Sequence, residues 1–162
     1  MENVMDVRTR YLTKTLNKTN LNKNESNVYE TIKGLSGSKV GILGLGRIGL
    51  AVGKRLMSFE TQQISYHNRK ENPEAKELGF NYVDFETLIK ESDFLICTCA
   101  LTNETKDLFN LKTFKKMKKN AIFINVARGA VVNQDDLCTA LRENIILAAG
   151  KNYFINGCPI LN

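Results

Sequence analysis

"VGILGLGRIGLAVGKRL", residues 40–56, decides the fold: an apolar run, a turn holding three glycines, then apolar residues recurring at helical spacing. Gly44, Gly46 and Gly49 spell G-x-G-x-x-G between an expected strand and an expected helix. Each glycine meets a separate demand: the first a tight turn, the second the close approach of a pyrophosphate, the third close packing of helix on strand. The helix starts at the same place, with unpaired N–H groups and the positive end of its dipole. This setting points to a dinucleotide, and Arg47 inside the turn adds a cation beside the same phosphates.

From Gly34 onward, short apolar runs alternate with longer amphipathic ones. "KVGIL", "QISY", "FLICTC", "AIFIN" and "IILAA" read as strands, with another short one at Tyr82. "RIGLAVGKRLMSF", "PEAKEL", "FETLIKE", "LKTFKKM" and "QDDLCTALREN" read as helices, the last opening after Asn133 as its N-cap. Strands separated by helices, in runs apolar on both faces, require a parallel sheet covered on both sides. The expected class is therefore α/β, a Rossmann-like doubly wound parallel sheet over residues 34–150. A polar arm, residues 1–33, precedes it, and a divergent tail, residues 151–162, follows.

Composition narrows the function. At 162 residues the chain suits one domain, and its 43% hydrophobic and 25% charged residues are ordinary for a globular protein. No apolar run approaches the ~20 residues of a membrane span, so no membrane partner is expected. The net charge of +6 is spread along the chain except at Lys115, Lys116, Lys118 and Lys119, and no aromatics interleave with that run. It reads as a solvated helix end, and nucleic acid is not an expected partner. Cys97, Cys99, Cys138 and Cys158 lack Cys-x-x-Cys spacing and nearby histidines. No metal site is expected, and reduced thiols in a cytoplasmic protein fit that usage. The arm, with "TKTLNKTNLNKNESN", is rich in Asn, Lys and Thr and shows no period, so it reads as disordered. Its arginines and hydroxyls suit a mitochondrial leader, but Glu2 and Asp6 count against one.

The end of the second strand bears on the kind of dinucleotide. An NAD-preferring domain places Asp or Glu about 20 residues past the glycines, where it binds the ribose hydroxyls. Here that position falls on His67, followed by Asn68, Arg69 and Lys70. A 2′-phosphate would meet donors there instead of a repelling acid, which favours NADP(H) over NAD(H).

Three stretches carry a family resemblance: "VGILGLGRIGLAVGKRL", "LTNETKDLFN" and "FKKMKKNAIFINVARGAVVNQDDLCTALRENIILAAG". Together they resemble the nucleotide-binding domain of the D-isomer-specific 2-hydroxyacid dehydrogenases, most of all the glyoxylate reductase/hydroxypyruvate reductase branch. The resemblance runs from about Gly34 to Gly150, and its most telling block is N-x-x-R-G-x-x-V-N at Asn125 to Asn133. It implies that Arg128 holds the carboxylate of a small 2-oxo acid and polarises its carbonyl while hydride arrives from the nicotinamide. A planar guanidinium suits both tasks. It further implies cofactor contacts from Gly46, Arg47 and Ile48 at the pyrophosphate and from His67, Asn68 and Arg69 at the adenosine end. Cys99, Leu101 and Thr105 would follow along the loop after the fourth strand, and Val126 would lie with Arg128 near the nicotinamide. A homodimer through the nucleotide-binding domain is left open by the resemblance.

After "LAAG" the family continues with Leu-Asp-Val, then a glutamate and a histidine, the histidine acting as general acid. Here "KNYFINGCPILN" follows, Asn152 stands in place of the aspartate, and the single histidine is His67. The substrate domain that normally comes first also has no counterpart in the arm. The expectation is a partial reductase that is inactive alone. The alternative is a non-catalytic, dinucleotide-sensing module resembling the C-terminal-binding corepressors, and a third reading is an unstable remnant with an exposed sheet edge.

Overall fold

The structure, a computed structural model, describes residues 34–151. The expectations for the arm, for Cys158 and for the tail beyond Lys151 lie outside the described residues. The chain runs β1 (Lys39–Leu43), α1 (Arg47–Leu56), a 3-10 turn (Met57–Phe59), β2 (Gln63–His67), α2 (Pro73–Glu77), β3 (Asn81–Tyr82) and α3 (Phe85–Glu91). It continues through β4 (Phe94–Cys97), α4 (Leu111–Phe114), β5 (Ile122–Asn125), a 3-10 turn (Gly129–Val131), α5 (Gln134–Arg142) and β6 (Ala148–Lys151).

The strands form one sheet in the order β3-β2-β1-β4-β5-β6, and every pairing is parallel. β1 lies in the middle, with Ile42 opposite Tyr66 on one side and Ile96 on the other. Because side chains alternate along a strand, the central strands β1 and β4 feed two cores. Val40, Ile42, Ile64, Tyr66 and Ile96 join Leu56, Ala75 and Phe80 in one cluster. Leu43, Leu95, Cys97 and Phe123 join Leu88, Ile89, Phe109, Phe114 and Leu137 in the other. Helices thus cover both faces, as the doubly wound reading requires.

Among the described residues, four of the five helices begin with a capping side chain. Asn72, Asp84, Asn110 and Asn133 each accept a hydrogen bond from an N–H in the first turn of α2, α3, α4 and α5. Asn133 is the cap the sequence pattern indicates. α1 is the exception, starting at Gly46 with no side-chain cap and no acid in its first turn.

Some expectations need correction. The apolar run "IILAA" is not itself the last strand, because β6 begins only at Ala148. Ile146 is buried ahead of it, and Leu147 donates its N–H to the Ala121 carbonyl, so the run closes the bottom of the core before pairing begins. α4 ends at Phe114, followed by i→i+3 bonds from Lys116 to Thr113 and Met117 to Phe114 that tighten the chain into turns. The lysine run is not simply solvated either: Lys116 pairs with Glu86, and Lys118 Nζ lies 2.8 Å from Asp93 Oδ1. Cys97 and Cys99 are free thiols, whereas Cys138, nearly buried on α5, is disulfide-bonded and not reduced as expected.

Asp93 gives the sheet a polar anchor at its opening edge. Its carboxylate accepts from the Lys39 N–H at 2.9 Å and binds Lys118, its main-chain N–H donates to the Lys39 carbonyl, and its carbonyl accepts from Ile122. One buried residue therefore ties the starts of β1, β4 and β5 together. Asp93→Ala is expected to cost about 2 kcal/mol, because it leaves the partly buried Lys39 N–H unsatisfied and Lys118 without its counter-charge. Urea unfolding of the variant beside the parent chain measures it, and a change below ~1 kcal/mol would show that water replaces the carboxylate.

Among the described residues no helix is long and apolar enough to cross a membrane, and no three acidic, histidine or cysteine side chains are placed to hold a metal.

Candidate functional site

All the strands end on one edge of the sheet, and the chain leaves β1 toward β2 but restarts at β4 on the other side. Between the ends of β1 and β4 the connecting segments diverge and leave a crevice, the place where open α/β sheets bind ligands. A cleft of about 970 Å³ opens there. Its floor is the glycine turn, one wall is the end of β2 from His67 to Lys70, and the other is the segment after β4 from Thr98 to Thr105.

The three glycines do different work. Gly44 has φ +91°, and a Cβ built on it would lie 2.5 Å from the Cys99 Cα, so the turn is pressed against the backbone leaving β4. Gly49 is buried on the inner face of α1, where a Cβ would come within 2.5 Å of the Gly44 carbonyl oxygen and 2.8 Å of Thr98 Oγ1. Gly46 lines the cleft, is exposed, and has nothing within 4 Å of where its Cβ would be. That open space stands before the uncapped start of α1, whose first N–H groups have no side-chain acceptor. Here the residues fit an anionic ligand such as a pyrophosphate.

The turn is braced from three directions. Asn68 Oδ1 accepts from the Leu45 N–H at 2.6 Å, Asn72 Nδ2 donates to the Leu45 carbonyl at 3.1 Å, and Thr98 Oγ1 donates to the Gly44 carbonyl at 2.5 Å. Asn68 therefore lines the cleft, but its amide is already committed to the turn. Asn72 and Thr98 were not among the expected site residues. Asn72 stands before Pro73, a legible cap signal for α2, whereas its hold on Leu45 has no local signature.

At the other end, His67 Nδ1 lies 2.8 Å from the Val83 carbonyl oxygen, which can only accept, so Nδ1 carries the proton. Its ring stacks on Tyr82 at 6.1 Å and meets Phe85 at 6.2 Å. Arg69 and Lys70 line the cleft beside it, and Glu104 is the acid on the opposite wall. Thr105 Oγ1 donates to the Ala100 carbonyl at 2.7 Å and accepts from the Thr102 N–H, fixing the loop that carries Cys99.

Thus Gly44, Gly46, His67, Asn68, Arg69, Cys99 and Thr105 meet in one cleft. Arg47 and Ile48 stand exposed on the first turn of α1, and Leu101 is exposed between lining residues Ala100 and Thr102. Val126 and Arg128 follow β5, beyond the cleft's lining. Arg128 is exposed, and its turn is held by buried Asn125, which accepts from the Ala127 N–H at 2.9 Å and donates to the Arg128 carbonyl at 3.3 Å. Asn125 is thus the residue that sets where the arginine stands, a contact visible only in three dimensions.

Known proteins are similar to this chain in sequence and in fold. Residues 7–156 match the family described as D-isomer specific 2-hydroxyacid dehydrogenase, NAD binding domain. The chain is 49% identical over 122 residues to a glyoxylate reductase of Thermococcus litoralis, covering 75% of this chain and 37% of that protein. It is 48% identical over 118 residues to the human glyoxylate reductase/hydroxypyruvate reductase, covering 72% and 36%. Among solved structures, an NAD-complexed D-isomer specific 2-hydroxyacid dehydrogenase from Lactobacillus delbrueckii ssp. bulgaricus aligns with TM-score 0.72 at 31% identity, over 76% of this chain and 37% of that one. A glyoxylate reductase from Paecilomyes thermophila aligns with TM-score 0.71 at 33% identity, over 79% and 39%. The chain spans little more than a third of the length of these relatives.

Proposed function

Since the chain belongs to the D-isomer specific 2-hydroxyacid dehydrogenases through their NAD-binding domain, we propose that it is the NADP(H)-binding part of an enzyme reducing glyoxylate, hydroxypyruvate or a similar 2-oxo acid. The observation that carries the cofactor preference is the end of β2, where His67 to Lys70 line the cleft with no carboxylate among them. A 2′-phosphate would gain charge-assisted hydrogen bonds from Arg69 there. NADH would gain none, and would also lack the acid that binds its ribose hydroxyls.

In this reading Gly46 and the free N–H groups of α1 hold the pyrophosphate, and the bound dinucleotide supplies the hydride. Asn68, Asn72 and Thr98 keep the turn open before the ligand arrives, so little ordering is needed on binding. Arg128, set by Asn125, would orient the carboxylate of the 2-oxo acid and stabilise the charge developing on its carbonyl oxygen. A general acid would have to come from elsewhere, since the sole histidine is committed at the far end of the cleft. Binding is therefore the property to measure in this chain, and turnover by it alone is not expected.

Calorimetric titration with NADPH and with NADH tests the assignment, the absence of tryptophan making intrinsic fluorescence a poor reporter. NADPH should bind the more tightly. Arg69→Ala should weaken NADPH by about tenfold to hundredfold, the scale of a lost charged hydrogen bond, with little change for NADH. Equal losses for both cofactors would remove the 2′-phosphate from that position.

A further inference from the structure

At the end of β4 two thiols face each other. Cys97 Sγ and Cys99 Sγ are 3.6 Å apart, and both cysteines are free. Being two residues apart on an extended segment, they project to the same side. Cys97 is fully buried, while Cys99 is half-buried and lines the dinucleotide cleft. The backbone of Cys99, not its thiol, lies against Gly44, while Cys97 belongs to the core on that face of the sheet and Cys99 packs against its edge.

We propose that Cys97 and Cys99 form a redox modification site that reacts with a small-molecule disulfide, closes to an intramolecular disulfide, and in closing weakens dinucleotide binding. The last part rests on reading the cleft as the dinucleotide site. The chemistry balances within the reactants named. The Cys99 thiolate attacks one sulfur of the small disulfide, whose S–S bond breaks to leave a mixed disulfide and one small thiolate. Cys97 then attacks Cys99 Sγ, its proton passing to the second small thiolate as that is expelled. Two protein thiols are oxidised by two electrons, and one small disulfide is reduced to two thiols.

The surroundings divide the labour in that order. Hydrogen bonding from the Cys97 thiol holds the Cys99 thiol below its ordinary range, and Cys99 is the one reachable from the cleft. The same neighbour and burial push the Cys97 thiol up, so it stays protonated while Cys99 is anionic. Once Cys99 carries the mixed disulfide, the part of that upward push that comes from its neighbour is gone and Cys97 can act. Closure must bring the sulfurs from 3.6 Å to about 2.05 Å. The Cα and N of Cys99 are the atoms lying against the glycine turn, so a shift there displaces Gly44 and the floor of the cleft with it.

The test uses the full chain, thiol-reduced and then incubated with glutathione disulfide. Trypsin releases residues 91–106, which hold both cysteines and no internal lysine or arginine, so the mass of one peptide reports the state of the pair. The expected result is a peptide lighter by two hydrogens. The NADPH dissociation constant should rise about tenfold or more and return on reduction. In Cys97→Ser the same peptide should stop at the mixed disulfide, and NADPH binding should not follow the closed-disulfide pattern. A parent peptide that stays reduced or retains one glutathione overturns the site, and a closed disulfide with unchanged NADPH affinity overturns the gating. If the reduced chain binds neither dinucleotide, the dinucleotide reading fails by itself, and the peptide mass still decides whether the thiol pair closes.

Discussion

Replacing Gly46 with valine removes dinucleotide binding and leaves the fold in place. The backbone at Gly46 has φ −83° and ψ −162°, an extended conformation that a β-branched residue adopts without strain. Nothing lies within 4 Å of the added Cβ, so the protein itself has no objection to the side chain. What the valine occupies is the space before the uncapped N-terminus of α1, where a pyrophosphate must come against the backbone. The cost to stability is that of a poorer N-cap, about 1 kcal/mol. The cost to binding is the loss of the phosphate position, at least ~hundredfold for NADPH and NADH alike, on the scale of ~3 kcal/mol. Calorimetry beside a thermal melt reads both. Retained binding in a folded variant would mean that the turn serves only the chain's own packing.

Gly44→Ala gives the opposite result: the fold suffers first. Gly44 sits at φ +91°, a region that L side chains rarely adopt, and its Cβ would be 2.5 Å from the Cys99 Cα and 2.6 Å from the Cys99 N. Those are backbone atoms at the end of a central strand, and they cannot rotate away as a side chain would. Left-handed strain of about 1–2 kcal/mol and overpacking of about 1–3 kcal/mol act together. A loss of roughly 3 kcal/mol is expected, lowering Tm by about 10 °C for a chain of this size. A variant that melts within ~2 °C of the parent would show that β1 and β4 are held less tightly than the contact implies. Two substitutions two residues apart in one motif thus separate the position that serves the ligand from the position that serves the chain.

Much of this was legible in the sequence because it depends on neighbours in the chain. β1 and α3 fall where the runs "KVGIL" and "FETLIKE" place them, since their burial follows directly from period and their ends from turn and cap residues. "IILAA" misleads because an apolar run records burial, and Ile146 is buried without being in a strand. The lysine run misleads for the complementary reason: Asp93, whose buried carboxylate holds Lys118, lies 25 residues away. In the site, Gly44, Gly46, His67 and Arg69 were found through motif and spacing, whereas Asn72, Thr98 and Asn125 were not. Their work is to hold a segment distant in the chain, or to turn back on a bend that forms only once β5 has paired.

By itself, then, the sequence determined the parallel α/β class, the glycine turn, the missing carboxylate at the end of β2 and the family to which the stretch from Gly34 to Gly150 is similar. These are properties of local backbone geometry and residue chemistry, and they persist whatever the rest of the chain does. The tertiary structure alone decided which glycine faces open space, that Asn68 serves the turn as well as lining the cleft, that Asp93 anchors three strands, and that two thiols meet beside that cleft. Each of these depends on distances between segments that only the packed sheet brings together.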